Sequence, residues 1–482
     1  MKSKHMLLSV LFATGVALLS VATAERPNIV LLLADDISQA DIGCYGHPVI
    51  ETPNIDQLAA IGVRFDNCIL TTSSCTPSRC SIITGRYPHN TGAPELKMRL
   101  PADQVVFPKL LKDAGYYTVL SGKNHMGDVK RGFDLITNGG GGAGAGDWVE
   151  LLEKRPKDKP FFCWYATHDA HRDWSTSEEV RKYKPEEVVI PPYMFDGPKT
   201  REDLTGYYHE VSRFDYNVGR VVAELKRQGV FENTLIFVTA DNGRPFPRSK
   251  TRLYDSGIKP PFIVHYPPAM KQGVSKSFVS SIDIAATALD VAGLPKDERI
   301  QGVSFASILL DHTAVVRELA IAEHNWHVFP NHERSVRFGD WLYIRNNKTD
   351  QQNLCAEAFG WGAGEELWDA HAAGKLNEAQ SNIFWNPCPE EELYNVVMDS
   401  DQLTNVAMNP ENKPVMEEMR RQLLLWTEQT GDTVPVKWTG PKAKYVPPGF
   451  PTPGKNSSKR GDIPGAAAGA EKINNPGPIK FK

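Results

Sequence analysis

The sequence predicts an α/β fold in which a central, mainly parallel sheet is flanked by helices and followed by a smaller α+β subdomain. Three observations carry this. Residues 26–36 read RPNIVLLLADD, an unbroken apolar run that stops at two carboxylates, as a strand buried on both faces does where it opens into a crevice. Residues 234–243, TLIFVTADNG, repeat that design. Between these runs helical patterns alternate with short apolar segments, and beyond about Glu318 the texture changes to shorter aromatic and β-branched stretches.

Taken in chain order, residues 1–24 carry Lys2 and Lys4, an apolar stretch over 6–21 and then Ala22-Thr23-Ala24. That is the plan of a secretory signal, with the mature chain starting near Glu25. As a membrane anchor the stretch is short and broken by Ser9, Thr14, Gly15 and Ser20, and no other segment could span a bilayer once the signal is removed. Export to a periplasm or medium is expected, or to a lysosome in a eukaryote. Residues 25–317 form the main domain, with helical patterns at 54–62, 106–115 and 208–229 and strands at 117–120, 161–166 and 262–266. Residues 318–439 form the second unit, including strand-like residues 335–345 and a helix over 415–429 whose stripe is Val415, Met419 and Leu423. Residues 440–482, rich in Pro, Gly, Ala and Lys, are expected to be a disordered basic tail.

The 482 residues hold 54 basic and 58 acidic side chains, a net charge of −4, too balanced to advertise a nucleic-acid surface. The charge divides into +2 on residues 1–24, −12 on 25–439 and +6 on the tail. A basic arm on an acidic body reads first as a solvated tail and second as a weak contact for an anionic glycan.

Asp35 with Asp36, and Asp241 with Asn242, offer only oxygen ligands, and parallel strands bring their carboxyl ends to one sheet edge. One such pair would merely cap a turn. Two pairs on strands of the same type point to a hard cation, Ca²⁺ or Mg²⁺. Residues 73–85 read SSCTPSRCSIITG, in which Ser74 can cap a helix, Pro77 can enter its first turn, Ile82 and Ile83 can face the core, and Gly85 can end it. Cys75 then sits at a helix N-terminus with Arg79 one turn along, a setting that favours anions. A low-pKa nucleophilic thiol and a disulfide to Cys68 or Cys80 are both open readings, and seven cysteines leave at least one outside any intramolecular disulfide.

Cys75-Thr76-Pro77-Ser78-Arg79, continued to Thr84-Gly85-Arg86, resembles the signature C-x-P-S-R-x-x-x-x-T-G of the type I, formylglycine-dependent sulfatases. Residues 122–127 resemble the family's G-K-x-H-x-G element, and residues 239–243 its metal-binding strand end, so the similarity spans most of 26–430. The resemblance implies an alkaline-phosphatase-like sheet and oxidation of Cys75 to Cα-formylglycine by a formylglycine-generating maturation enzyme. It implies Ca²⁺, ahead of Mg²⁺, at Asp35, Asp36, Asp241, Asn242 and the modified Cys75. Arg79 and Lys123 would steady nucleophile and sulfate, and His125 would take a proton from the sulfated diol so that sulfate is expelled. His171 and Lys250 would face the leaving group. Six thiols remain, of which Cys355 and Cys388 are the expected disulfide pair.

Residues 161–172, FFCWYATHDAHR, are similar to the FFLY-x-A-x-HDPHR stretch of the heparan N-sulfatase (N-sulfoglucosamine sulfohydrolase) branch, and residues 242–247 and 250–254 point the same way. The chain departs from that branch at Ala170, in place of Pro, and at Lys250, in place of Arg. The implied substrate is a sulfated saccharide, N-sulfated or O-sulfated. Expected contacts to it are His168, Asp169 and Arg172, with His324, His327, Glu333 and Arg334 from the second unit. For His324 and His327 an incidental strand end is an equal reading. Residues 138–147, NGGGGAGAGD, contain G-x-G-x-x-G without the strand-to-helix setting of a dinucleotide site and read as a flexible loop. The rival activities are a phosphodiesterase or phosphonate hydrolase of the same superfamily, or a glycan-binding protein with Cys75 unmodified.

Overall fold

The apolar run after Pro27 forms strand β1 (Asn28–Ala34), every residue of it buried. The computed structural model describes residues 26–352, 354–442 and 460–481, so the expected signal segment lies outside the described residues. Seven further strands join β1: β2 (Val63–Ile69), β3 (Tyr117–Gly122), β4 (Leu135–Thr137), β5 (Phe161–Ala166), β6 (Thr234–Ala240), β7 (Ile263–His265) and β8 (Gly273–Ser280). Their order is β4-β3-β5-β1-β6-β7-β2-β8. All neighbours run parallel except at β7, which is antiparallel to both β6 and β2.

Because a strand presents alternate residues to opposite faces, Ile29, Leu31 and Leu33 pack with Ile82, Ile83, Phe107, Leu111 and Ile284 on one side. Val30, Leu32 and Ala34 pack with Ile55, Leu58, Trp148 and Leu204 on the other. Both layers consist of helices, so the sheet is covered on both faces, as its continuous apolar strands require. Each fully buried Leu, Ile or Val contributes about 1.5–3 kcal/mol.

The long helix Pro198–Arg227 begins ten residues before the expected 208. Its first turns read as a polar stretch along the chain, yet Thr200, Asp203, Leu204 and Tyr207 are buried at helical spacing.

A second, antiparallel sheet follows, in the order β12-β11-β10-β9, from β9 (Leu319–His324), β10 (Glu333–Phe338), β11 (Trp341–Asn346) and β12 (Glu391–Asn395). The strand-like residues 335–345 are thus a hairpin. Helix Lys413–Thr430 covers this sheet with Met416, Met419, Leu423 and Trp426, against Leu319, Ile321, Val336 and Leu393. The expected stripe is corrected at its start, because spacing of exclusively four drifts off a 3.6-residue face and Val415 falls to its edge.

The expected disorder of 440–482 does not hold for residues 460–481. Asn90 Nδ2 donates to the Ala470 carbonyl at 2.7 Å, Arg86 donates to the carbonyls of Glu471 and Ile473, and Phe481 packs its ring 3.8 Å from Phe338. Composition predicts disorder when a segment has no surface of its own to bury, but this one borrows a groove across both sheets. Residues 443–459 lie outside the described residues. The expected Cys355–Cys388 disulfide is also not formed: Cys355 is a free, buried thiol, and Cys388 Sγ lies 3.5 Å from the Lys348 carbonyl. Among the described residues no helix is long and apolar enough to cross a membrane.

Candidate active site

The parallel register delivers the functional side chains. Ala34 of β1 pairs with Ala240 of β6, Leu33 with Ala166 of β5, and Gly122 of β3 with Ala166. The residue after each strand keeps the ladder going: Asp241 N–H donates to Ala34, Asp35 N–H to Asp169 and Lys123 N–H to Ala166. Asp35, Asp36, Lys123, Asp169, Asp241 and Asn242 therefore emerge at one sheet edge. Gly122 has φ +92°, and a Cβ there would lie 1.9 Å from the Ala166 carbonyl oxygen, so only glycine lets β3 and β5 close up beneath Lys123.

Cys75 opens helix Cys75–Thr84, all ten residues of which are buried. Gly85 ends it in the left-handed region at φ 66°, its N–H on the Ser81 carbonyl. Ser74 does not cap the helix with its side chain; its Oγ instead meets His327 Nδ1 at 2.7 Å. Thr251 N–H donates to the Ser73 carbonyl at 3.0 Å, which ties the loop bearing Lys250 to the turn before Cys75.

Cys75 Sγ lies 3.7 Å from Asp35 Oδ1 and 4.0 Å from Asp36 Oδ1. Burial pushes its thiol up, and Lys123 and Lys250 only partly offset this. The low-pKa thiolate is therefore corrected: a helix N-terminus lowers a thiol only where burial does not outweigh it. The disulfide alternative is corrected too, since Cys68, Cys75 and Cys80 are all free.

Around Cys75, carboxylates and cations interleave. Arg79 Nε donates to Asp241 Oδ2 at 2.6 Å and its Nη1 to the Lys123 carbonyl at 2.8 Å. The Lys123 ammonium pairs with Asp35, while Lys250 Nζ is 2.6 Å from Asp36 Oδ2 and 3.4 Å from Glu357 Oε1. Burial pushes Asp35 up, but Lys123 and the other cations hold it well below the usual carboxylate range. Asp36 goes the other way: burial, with Asp35 and Asp241 adding to it, outweighs Lys250 and raises it well above that range. Asp241 is raised by burial despite Arg79.

Three adjacent carboxylates, two of them held above their ordinary range, want more positive charge than the side chains supply. One ligand atom each from Asp35, Asp36, Cys75 and Asp241 lies within 4.8 Å of the others. Asn242 donates its amide to Asp36, and its Oδ1 is buried without a hydrogen-bond partner. An orphaned carbonyl oxygen beside crowded carboxylates fits a hard divalent cation.

A cavity of about 210 Å³ opens above this floor, walled by Asp36, Cys75, His125, His171, Arg172, Lys250 and His327 among others. His171 Nδ1 sits on the Arg172 carbonyl, which can only accept, so Nδ1 carries the proton and Nε2 is the free acceptor. Lys250 and then burial pull His171 down to about 3, and burial followed by Lys123 and Arg79 does the same to His125. Both rings are neutral at pH 7, and His125 Nδ1 has no partner.

The structure thus brings together Asp35, Asp36, Cys75, Arg79, Lys123, His125, His171, Asp241, Asn242 and Lys250. Of the expected substrate contacts, Arg172 and His327 line the cavity, although Arg172 is paired with Asp203 and stacked 4.7 Å from Trp174 and Phe246. His168 is exposed and is not part of the cavity wall. Asp169 is buried under a bidentate contact from Arg213, at 2.8 and 2.6 Å, and braces the loop that carries His171. His324, Glu333 and Arg334 do not reach the cavity. The β9–β10 ladder pairs His324 with Glu333, Arg252 takes the Glu333 carboxylate, and Arg334 holds Asp432 at 2.6 and 2.8 Å. The sequence reading missed Glu357, Trp361, Lys97 and Lys442 in the wall. None sits in a motif, and each arrives from a segment distant in the chain.

The Sulfatase family model matches residues 27–143 and 145–294, more than half of the chain. An ulvan-active sulfatase of Formosa agariphila is 29% identical over 463 residues, covering 85% of this chain and 76% of that protein. Human N-sulphoglucosamine sulphohydrolase is 28% identical over 479 residues, covering 86% and 92%. A solved structure described as a complex with its substrate D-glucosamine-2-N,6-O-disulfate shares the fold with a TM-score of 0.67 at 22% identity, covering 84% of this chain and 98% of that one. With its signature cysteine buried among carboxylates and cations at the sheet edge, the chain belongs to the sulfatase family and is a hydrolase of sulfuric esters or sulfamates.

Proposed function

We propose that the protein is an exported sulfatase that removes sulfate from a sulfated sugar, with N-sulfoglucosamine as the first substrate to try. The observation that carries the mechanism is the floor of the cavity: a buried signature cysteine between crowded carboxylates, an orphaned amide oxygen and three committed cations. Asp35, Asp36, Asp241 and Asn242 would hold Ca²⁺, or less readily Mg²⁺, whose charge would draw the sulfate oxygens and stabilise their negative charge. Converted to Cα-formylglycine by a maturation enzyme, residue 75 would supply a hydrated aldehyde oxygen as nucleophile, which the raised thiol cannot replace.

The remaining residues act on the substrate. Arg79, locked on Asp241, and Lys123, locked on Asp35, present fixed positive charge where sulfate negative charge builds up. With Asp35, Asp36, Asp241 and Glu357 all ionised against Arg79, Lys123 and Lys250, the floor would carry −1, and the divalent ion that favours that ionisation would bring it to +1, complementary to a sulfate monoester. His125, neutral with an open Nδ1, is placed to accept a proton beside residue 75. Lys250, its charge kept by Asp36 and Glu357, faces the leaving group as a donor, and His171 Nε2 accepts from the sugar.

Similarity of residues 161–172 to the heparan N-sulfatase branch, together with coverage of 92% of the human N-sulphoglucosamine sulphohydrolase, supports N-sulfate. The ulvan-active relative and Lys250 in place of the branch's Arg support an O-sulfatase as the second reading. The basic, apolar and small-residue order of residues 1–24 supports export. The test is peptide mass spectrometry across residue 75 after co-expression with a formylglycine-generating enzyme, run beside sulfate release from N-sulfated and O-sulfated glucosamine. Formylglycine with release from the N-sulfated sugar alone supports a sulfamidase. Release from the O-sulfated sugar alone moves the protein to the second reading, and an unmodified thiol removes the proposed nucleophile.

A further inference from the structure

We propose that Glu357 is a specificity residue of the catalytic cavity, whose carboxylate accepts a hydrogen bond from a free sugar hydroxyl next to the sulfated position, with Trp361 as the apolar wall for the same pyranose. The inference deepens the saccharide reading above and rests on it.

Both residues line the cavity that Cys75, His125 and Lys250 also line. Glu357 lies in the short turn Ala356–Ala358, and Trp361 immediately precedes helix Gly362–Ala372. One carboxylate fixes this segment against the active-site loop. Asp203 Oδ2 accepts from the Ala363 N–H at 2.9 Å, while its Oδ1 accepts from Trp174 Nε1 at 2.6 Å and from Arg172. The Trp361 indole N–H donates to Asp173 Oδ1 at 3.4 Å, and the Arg172 guanidinium sits 5.7 Å from the Trp361 ring. The loop that carries His171 and the segment that carries Glu357 are thus tied to the same side chains.

Glu357 has more acceptor capacity than the protein uses. Its side chain is only 6% exposed, and its Oε1 lies 3.4 Å from Lys250 Nζ, which Asp36 already holds at 2.6 Å. Its Oε2 is buried without a hydrogen-bond partner among the described residues. An ionised carboxylate is an acceptor only, and an oxygen left unmet in a buried wall is costly unless a donor arrives with the ligand. Sulfate cannot be that ligand group, because like charges repel. The donor that Lys250 would bring within reach is the leaving sugar, whose ring carries hydroxyls at its rim and C–H groups on its faces. A half-buried indole four residues from the carboxylate matches the faces as the carboxylate matches the rim. The favoured substrate therefore has a free hydroxyl, and not a second sulfate, beside the scissile group.

The test compares Glu357→Ala and Glu357→Gln with the wild type in matured protein. The substrates are N-sulfated and 6-O-sulfated glucosamine, the 3-deoxy and 4-deoxy analogues of these two sugars respectively, and p-nitrophenyl sulfate, whose leaving group has no hydroxyl. The kcat/KM of the sugar that is hydrolysed is divided by that of p-nitrophenyl sulfate. Glu357→Ala should lower this ratio about tenfold or more, and Glu357→Gln, which keeps an acceptor oxygen, should lower it less. The deoxy analogue should lose the same factor in the wild type and nothing further in Glu357→Ala. An equal loss on the sugar and on p-nitrophenyl sulfate means that Glu357 serves Lys250 alone and overturns the inference, as does a deoxy analogue handled like the parent sugar. Equilibrium binding of the same sugars to Cys75→Ala protein, with and without Glu357→Ala, reads the contact without turnover. A preference for the parent sugar over its deoxy analogue that Glu357→Ala abolishes upholds the contact even if hydrolysis of these sugars fails, and equal binding overturns it whatever the turnover.

Discussion

Two buried clusters in this protein are built from side chains that can ligate a metal and do opposite things. At the sheet edge, Asp35, Asp36, Cys75 and Asp241 converge; behind the second sheet, His89, Glu323 and Asp432 do the same, each set within 4.8 Å. In the second cluster His89 Nδ1 meets Glu323 at 2.7 Å, His89 Nε2 meets the Thr430 carbonyl at 3.2 Å, and Arg334 takes Asp432 with two bonds. None of its side-chain atoms is left unpartnered, whereas at the sheet edge Asn242 Oδ1, Arg79 Nη2 and His125 Nδ1 all are. Proximity of ligand-type residues therefore does not mark a reactive site. What separates the two is the unfinished hydrogen bonding of the sheet-edge set, where open polar atoms stand among converging charges that a cation or substrate could complete. The finished cluster is a brace that pins Pro88–Thr91, the second sheet and the end of helix Lys413–Thr430 together.

The comparison breaks most visibly on function. Cys75→Ala should lower turnover of matured protein by at least about 10³-fold, as loss of a nucleophile does, while the urea midpoint shifts by no more than about 1 kcal/mol in stability. Asp432→Ala should do the reverse. It strips Arg334 of its bidentate partner in a fully buried setting, at a cost of about 3–5 kcal/mol. Its kcat/KM, measured well below the unfolding transition, should stay within a factor of two of the wild type. Loss of activity in Asp432→Ala without loss of stability would end the assignment of that cluster as a brace.

Metal sharpens the same contrast. Saturating Ca²⁺ at 100 times its dissociation constant should stabilise the folded protein by about 2.7 kcal/mol. Asp432→Ala should gain the same increment, and a double Asp36→Asn, Asp241→Asn variant should gain almost none. Thermal unfolding with added Ca²⁺ or EDTA reads all three. Equal gains in every variant would move the cation away from the sheet edge.

What the sequence could disclose follows from how far along the chain a signal reaches. The apolar runs ending at Asp35 and Asp241 were legible because strand burial and the carboxylates are written within ten residues of each other. Helix Cys75–Thr84, with Gly85 ending it, was legible for the same reason. Arg334, Glu333 and His324 were placed in the wrong setting because a β-strand sends alternate side chains to opposite faces, and nothing local says which face meets the cavity. Lys442 was assigned to a disordered tail, although its position depends on Trp326 and Val328, more than a hundred residues earlier. Composition reads what a segment can bury by itself. It is silent on grooves such as the one in which Arg86 and Asn90 hold the chain end.

The smallest effect expected is a pH dependence that belongs to the brace alone. Burial by itself would pull His89 down, but the Glu323 carboxylate outweighs burial and raises His89 above its ordinary value of 6.5. The folded state therefore holds this proton more tightly than the unfolded chain. The stabilisation is fully present below 6.5 and is lost as pH rises through the higher folded value. Urea unfolding at pH 6 and at pH 9, on wild type and His89→Gln, isolates it, because titrating groups elsewhere are common to both proteins. The stability advantage of the wild type over the variant should shrink between the two conditions. An advantage that grew with pH would mean that His89 is neutral in the fold. Glu323 would then be balanced by Arg334 alone, and the two clusters would differ less than their hydrogen bonds indicate.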